Sequence, residues 1–210
     1  MIAKLLLPIG AAALLAAAPH EIVTLSVGAS LPLPDQAMQD VSGKEVTLKQ
    51  AAGANGLLVI FSCNTCPFVV GSDGSEGWQN RYPALATLSK KNDVGFILVN
   101  SNEAKRADDD SFDKMKAHYA ANNYKGYYVV DKDHKVADAF GARTTPHVFL
   151  FDKNMKLVYT GAIDDNVGSA AAVKEHWLDN AIGNMAAGKP IDPPTTRNKG
   201  CSIKRVAHTH

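Results

Sequence analysis

Cysteine is scarce in this chain: three residues in 210. That is too few for a small domain built on a disulfide framework. An excess of charge of either sign is also missing, since 22 Lys and Arg stand against 21 Asp and Glu, for a formal net charge of +1. Nucleic acid and anionic lipid select basic patches, so neither is the expected partner. Beyond the first residues there is no internal repeat, no low-complexity segment and no run long or apolar enough to cross a membrane. With 46% hydrophobic and 20% charged residues, the composition is that of a globular chain with enough apolar surface for a core.

The N-terminus reads MIAKLLLPIGAAALLAAAPHE. One lysine, an apolar stretch and an Ala-x-Ala-like site near Ala16 to Ala18 are the layout of a secretory signal peptide over residues 1–18. Lys4 to Ala18 is short for a membrane span of roughly 20 apolar residues, and Pro8 and Gly10 interrupt it. No cysteine follows at which a lipid could be attached. The expected location is therefore periplasmic or secreted, where disulfides can persist. The rest of the chain, residues 19–210, fits one domain, with an irregular, proline-bearing tail over 189–210.

Within that domain, Ser42-Gly43 marks a turn between two short extended pieces. Residues 56–62 (GLLVIFS) and 94–100 (VGFILVN) are continuous apolar runs, as strands buried on both faces require. A helix is expected to end near Asn92, another to start at Ser111, and a short one to stop at Gly141. Residues 127–131 form a third strand. Residues 144–152 and 156–163 form a hairpin turning at Lys153-Asn154, and residues 169–188 a final helix. Strands alternating with helices, then a hairpin and a helix, predict an α/β sandwich around a central mixed sheet.

Chemistry concentrates at residues 61–70, FSCNTCPFVV. Only a thiolate attacks, and an ordinary cysteine is mostly protonated at neutral pH. With Cys63 at the start of a helix, unpaired N–H groups would stabilise its thiolate. Cys66, one turn on, would then resolve a mixed disulfide by forming Cys63–Cys66. Pro67 suits the first helical turn, where its missing N–H is harmless. A structural disulfide across two residues would remove little unfolded-state entropy. A zinc or copper module would need further ligands, which Cys201 and a histidine would have to supply. Pro146 opens an apolar strand although it cannot donate to a ladder, and a cis Thr145–Pro146 bond would account for it.

Together, SGKEVTL, LLVIFSCNTCPF, VNSNE, FGARTTPHVFLFD, KLVYTGAIDDN and GCSIK resemble the thioredoxin superfamily. The likeness is to its exported redoxin (AhpC/TSA-like) branch of thiol–disulfide oxidoreductases, from about residue 25 to 205. The resemblance implies a thioredoxin-like three-layer sandwich and a catalytic Cys63–Cys66 pair. It implies a cis Pro146 beside that pair, excluding metal, and a Thr145 that offers its backbone to an incoming substrate strand. The implied partners are protein thiols and disulfides, with a redox donor or acceptor in the same compartment, and no cofactor is expected.

The sequence departs from the superfamily pattern in two places. The strand before Cys63 lacks the buried carboxylate of many thioredoxins. Ile60, three residues before Cys63, lacks the hydroxyl a peroxidatic site would place there, which makes thiol peroxidase the weaker alternative. Glu103, Asp164 and Asp165 read as solvated loop charges, and Trp78 and Tyr82 as core. His147 is an accessory candidate for a hydrogen bond near the thiolate. Cys201 is left over: a third redox thiol, a packing residue or a dimer bridge.

Overall fold

The computed structural model describes residues 22–207. The leader expected over 1–18 lies outside them. The chain opens with β1 (Met38–Asp40) and β2 (Glu45–Val46), paired antiparallel around Gly43, whose φ of +86° turns the chain. A helical turn not expected from sequence follows, α1 (Leu48–Ala51). Its cause was readable in TLKQ: Thr47 and Gln50 form a reciprocal capping box.

Next come β3 (Gly56–Ser62), α2 (Pro67–Val70), α3 (Tyr82–Lys91), β4 (Val94–Asn100), α4 (Phe112–Ala121), β5 (Tyr127–Val130) and α5 (Lys135–Phe140). The last elements are β6 (Thr144–Thr145), β7 (His147–Asp152), β8 (Leu157–Gly161), α6 (Trp177–Ala186) and β9 (Cys201–Ser202). The main sheet has seven strands in the order β2-β1-β5-β4-β3-β7-β8. Strands β3, β4 and β5 run parallel, and the other pairings are antiparallel. This is the expected mixed sheet of a thioredoxin-like sandwich.

Alternation along β3 divides the core. Leu58 and Ile60 face a layer that includes Leu85, Met115, Leu178 and Ile182, from α3, α4 and α6. Leu57, Val59 and Phe61 face a second layer with Leu48, Val136 and Phe140, from α1 and α5. Each large apolar side chain buried this way stabilises by about 1.5–3 kcal/mol, which explains why β3, between β4 and β7 inside the sheet, contains no polar residue before Ser62.

Two expected elements differ. The segment 144–152 is split at Pro146, and its two halves pair with different partners. The final helix starts at Trp177, eight residues later than expected. Carboxylates take the amides that a helix would use: Glu76 Oε2 accepts from Ala170 N–H at 2.9 Å, and Asp165 Oδ1 from Lys174 N–H at 2.9 Å.

Candidate active site

The site lies at the carboxyl ends of the parallel strands, where open α/β sheets present their crevice. β3 ends at Ser62, which pairs with Asn100 at the end of β4, and Cys63 follows. Here the structure corrects the expected placement of the pair. The helix begins at Pro67, so Cys66 is the N-cap (φ −67°, ψ 125°) and Cys63 precedes it in irregular chain. Proline is the reason, because its ring pushes the preceding residue out of helical geometry.

Three groups converge on the pair. Cys63 Sγ lies 3.2 Å from Thr145 Oγ1. Cys66 Sγ, when protonated, donates to Thr145 O at 3.1 Å. The backbone N–H of Cys201 donates to Cys66 Sγ at 3.4 Å. The Thr145–Pro146 bond is cis. Thr145 pairs with Cys201 and Thr144 with Ser202 in a separate two-stranded sheet of β6 and β9. The tail, read as irregular, thus supplies a strand to the site, and it occupies the backbone expected to receive a substrate. All three cysteines are free thiols.

The expected placing of the thiolate on Cys63 is not what is found. Cys63 and Cys66 are 2% and 4% exposed, so neither is a surface thiol. The hydrogen bond from Cys63 pulls Cys66 down to about 5, with further help from Cys201, against the effect of burial. The same contact, together with burial, raises Cys63. Cys201 is held up at about 11, by burial first and Cys66 second. The shifts favour charge on Cys66 over Cys63, in keeping with the Cys201 N–H that Cys66 accepts. Cys63→Ala removes the donor, and the Cys66 midpoint should rise clearly above 5. Thiolate absorbance or iodoacetamide alkylation followed against pH, with Cys201 replaced by serine in both proteins, measures it.

Behind the loop lies a polar bracket that the sequence reading missed. Asp110 is fully buried. Its Oδ1 accepts from Asn64 N–H at 2.9 Å and from Asn100 Nδ2 at 2.7 Å, and its Oδ2 from Asn102 Nδ2 at 2.9 Å. Tyr128 Oη donates to Asn64 Oδ1 at 2.8 Å. Arg106 holds the carbonyls of Asp110 and Asn100 at 2.6 and 2.8 Å. Asp110 sits in the charged run ADDD, which reads as solvated loop, and nothing local distinguishes it from its neighbours.

Residues 27–176 match the Redoxin family model. The chain belongs to the Redoxin family. The likeness to thioredoxin-superfamily redoxins is thereby borne out. No curated protein matches this redoxin. A hypothetical protein from Sinorhizobium meliloti 1021 is similar at 28% identity and TM-score 0.78, over 89% of this chain and 98% of its own. An uncharacterized conserved protein from Geobacillus kaustophilus is similar at 28% identity and TM-score 0.76, over 88% and 94%. Peroxidoxin BcpB from Mycobacterium tuberculosis shares the fold, at 14% identity and TM-score 0.55, over 77% and 96%. Family membership supports a redox enzyme.

Of the other residues of this redoxin singled out from sequence, His147 falls away from the thiols. His147 lies on the opposite face of the sheet, its ring 4.5 Å from that of Phe149. Its Nδ1 accepts from Arg143 N–H at 3.3 Å, and Nε2 lies 3.5 Å from Thr160 Oγ1. Burial pushes it down to about 3, so it is neutral. Strand alternation is the reason, since His147 shares its face with Phe149 and Phe151 and only Val148 and Leu150 point towards the thiol side. His147→Ala should leave the Cys66 midpoint in place when titrated in the same way.

Asp164 is not a solvated loop charge. It is buried, accepting from Trp78 Nε1 at 2.7 Å and pairing with Arg81 Nε at 2.7 Å. Glu103 pairs with Arg106 at 3.4 Å, and Asp165 caps exposed amides. Trp78 and Tyr82 are core, and Tyr82 Oη lies 3.0 Å from Ser62 Oγ beneath the cysteine loop. Among the described residues no group of three or more His, Cys, Asp or Glu side chains is arranged to hold a metal ion.

Proposed function

We propose that this chain is an exported thiol–disulfide oxidoreductase that cycles Cys63 and Cys66 between dithiol and disulfide, exchanging electrons with protein partners. One observation carries the reading: Cys63 Sγ lies 3.2 Å from Thr145 Oγ1, and Cys66, drawn down to about 5, accepts the Cys201 N–H at 3.4 Å. A thiolate and a thiol in contact at neutral pH are what exchange needs. Thr145 orients Cys63 through its hydroxyl and, while Cys66 is protonated, Cys66 through its carbonyl, and the Asp110 bracket fixes the loop that carries them. The low value at Cys66 makes it the readier nucleophile, with Cys63 closing the intramolecular disulfide. No cofactor is required, because the electrons reside in the sulfurs. The signal-like N-terminus supports export, and among the described residues no helix is long and apolar enough to cross a membrane.

The test is the equilibrium reduction potential of Cys63–Cys66 in the mature chain carrying Cys201→Ser. A value near about −270 mV makes the protein a reductant, and one near about −120 mV a disulfide donor. A pair that forms no reversible disulfide ends the reading.

Thiol peroxidase is a second reading, favoured by one contact. The hydroxyl absent at Ile60 is supplied by Thr145 Oγ1, 3.2 Å from Cys63 Sγ. Two thiols and a hydroperoxide would yield a disulfide, an alcohol and water. Rapid loss of Cys63 thiol on adding hydrogen peroxide would support it, and a loss no faster than that of free cysteine would reject it.

A further inference from the structure

The thiol–disulfide reading leaves a problem of access. Cys63 and Cys66 are 2% and 4% exposed, and β9 lies on the Thr144–Thr145 edge beside them. Cys201 is the half-buried thiol of the three. The segment around it is fastened on both sides. Asn198 Nδ2 donates to Thr144 Oγ1. Ile203 N–H donates to Arg143 O at 3.1 Å, and Lys204 N–H to Asn102 Oδ1 at 2.8 Å. Arg205 Nε donates to Asp138 Oδ1 at 2.8 Å. Gly200 permits the close approach, because a Cβ there would stand 2.4 Å from Thr145 O. The tail is thus built into the site, with one thiol at its surface and a backbone bond to the sulfur of Cys66.

We propose that Cys201 is a third redox thiol, through which the buried pair exchanges with protein partners. This rests on the oxidoreductase reading. In the reducing direction Cys201 gives up its proton to solvent and attacks a partner disulfide. The partner's S–S bond breaks, its first sulfur leaves and is protonated, and Cys201 forms a mixed disulfide. The Cys66 thiolate attacks the Cys201 sulfur. The partner's second sulfur leaves and is protonated, and a Cys66–Cys201 disulfide forms. Cys63 then loses its proton and attacks Cys66, expelling Cys201, which takes up a proton. Two electrons pass from the Cys63/Cys66 dithiol to the partner disulfide. The oxidising direction is the reverse. Cys66 is the pivot of every internal step, in keeping with its place between Cys63 and Cys201.

Two experiments test the relay. Cys63→Ser protein is oxidised with glutathione disulfide, quenched in acid, alkylated and digested, and its disulfides are mapped by mass spectrometry. A Cys66–Cys201 linked peptide pair is expected as the main product, and glutathione adducts or free thiols alone overturn the proposal. In the second, reduction of insulin disulfides with dithiothreitol as electron donor is compared for the native chain, Cys201→Ser and Gly200→Ala. The glycine variant keeps every thiol but displaces the tail. Both should be slower by about tenfold or more, because exchange depends on a sulfur the partner can reach, and Cys63 and Cys66 are buried. Equal or faster reduction overturns the relay, since a tail that merely covers the site would speed the reaction when lifted. The potential of Cys201→Ser separates the failures: no reversible Cys63–Cys66 disulfide sinks the oxidoreductase reading, whereas a normal one with undiminished insulin reduction sinks the relay alone.

Discussion

Cys66→Ser should abolish insulin reduction, whereas Cys63→Ser should retain the ability to form a disulfide. The asymmetry follows from position. Cys66 touches Cys63 through the bond that pulls it down to about 5, and it accepts the Cys201 amide at 3.4 Å. Both disulfides of the proposed relay contain Cys66, so its loss removes each of them. A serine hydroxyl offers no thiolate and forms no disulfide. The second readout is pH. Reduced native protein should show a thiolate that appears with a midpoint near 5, and Cys66→Ser should lack it. The same shift enters stability. The folded value lies below the unfolded one of about 8.5, so ionisation of Cys66 stabilises the reduced fold fully above that pH. The contribution is lost as pH falls through about 5. The difference in Tm between reduced native protein and Cys66→Ser should therefore shrink from alkaline pH down to pH 5.

Asp110→Ala should be the most damaging change outside the thiols. The carboxylate is fully buried and accepts from Asn64 N–H, Asn100 Nδ2 and Asn102 Nδ2. Alanine leaves those three donors without their acceptor. An unsatisfied buried polar group costs about 1–3 kcal/mol, and bonds to charged groups are the stronger ones. A loss of about 3 kcal/mol is expected, which for a chain of this size lowers Tm by roughly 6–12 °C. Asp110→Asn should fall between the two, since it keeps one acceptor but turns an NH2 group towards other donors. Asp110 also raises Cys63 electrostatically, so both variants should titrate Cys63 at lower pH. Thermal melts with a thiol titration on the same samples separate the two effects. A variant that loses stability with Cys63 unmoved would mean that the bracket only supports the loop and does not act on its charge.

Much of the architecture was legible because it follows from local pattern. The seven apolar residues of β3 and the run of β4 announce strands buried on both faces, and they form the parallel centre of the sheet. Asn92 caps α3 as expected, and Ser111 precedes α4. The late start of α6 was not legible, because Glu76, 94 residues from Ala170, and Asp165 in the preceding loop compete for its backbone. Asp164 was misread for a similar reason: only the fold places Arg81 and Trp78 against it.

At the site, sequence by itself determined which atoms could do chemistry. Two cysteines at a two-residue spacing, a proline after them and a Thr-Pro pair before a late strand name the candidate sulfurs and the residue beside them. Those are matters of residue type and spacing, which no tertiary contact can change. Only the tertiary structure decided where the charge rests and how the sulfurs are reached. Pro67 starts the helix one residue after Cys66, β7 alternation turns His147 to the far face, and β9 brings Cys201 across from Thr145. A thiol's ionisation depends on its neighbours and its burial, and those neighbours come from segments 79 to 135 residues away along the chain.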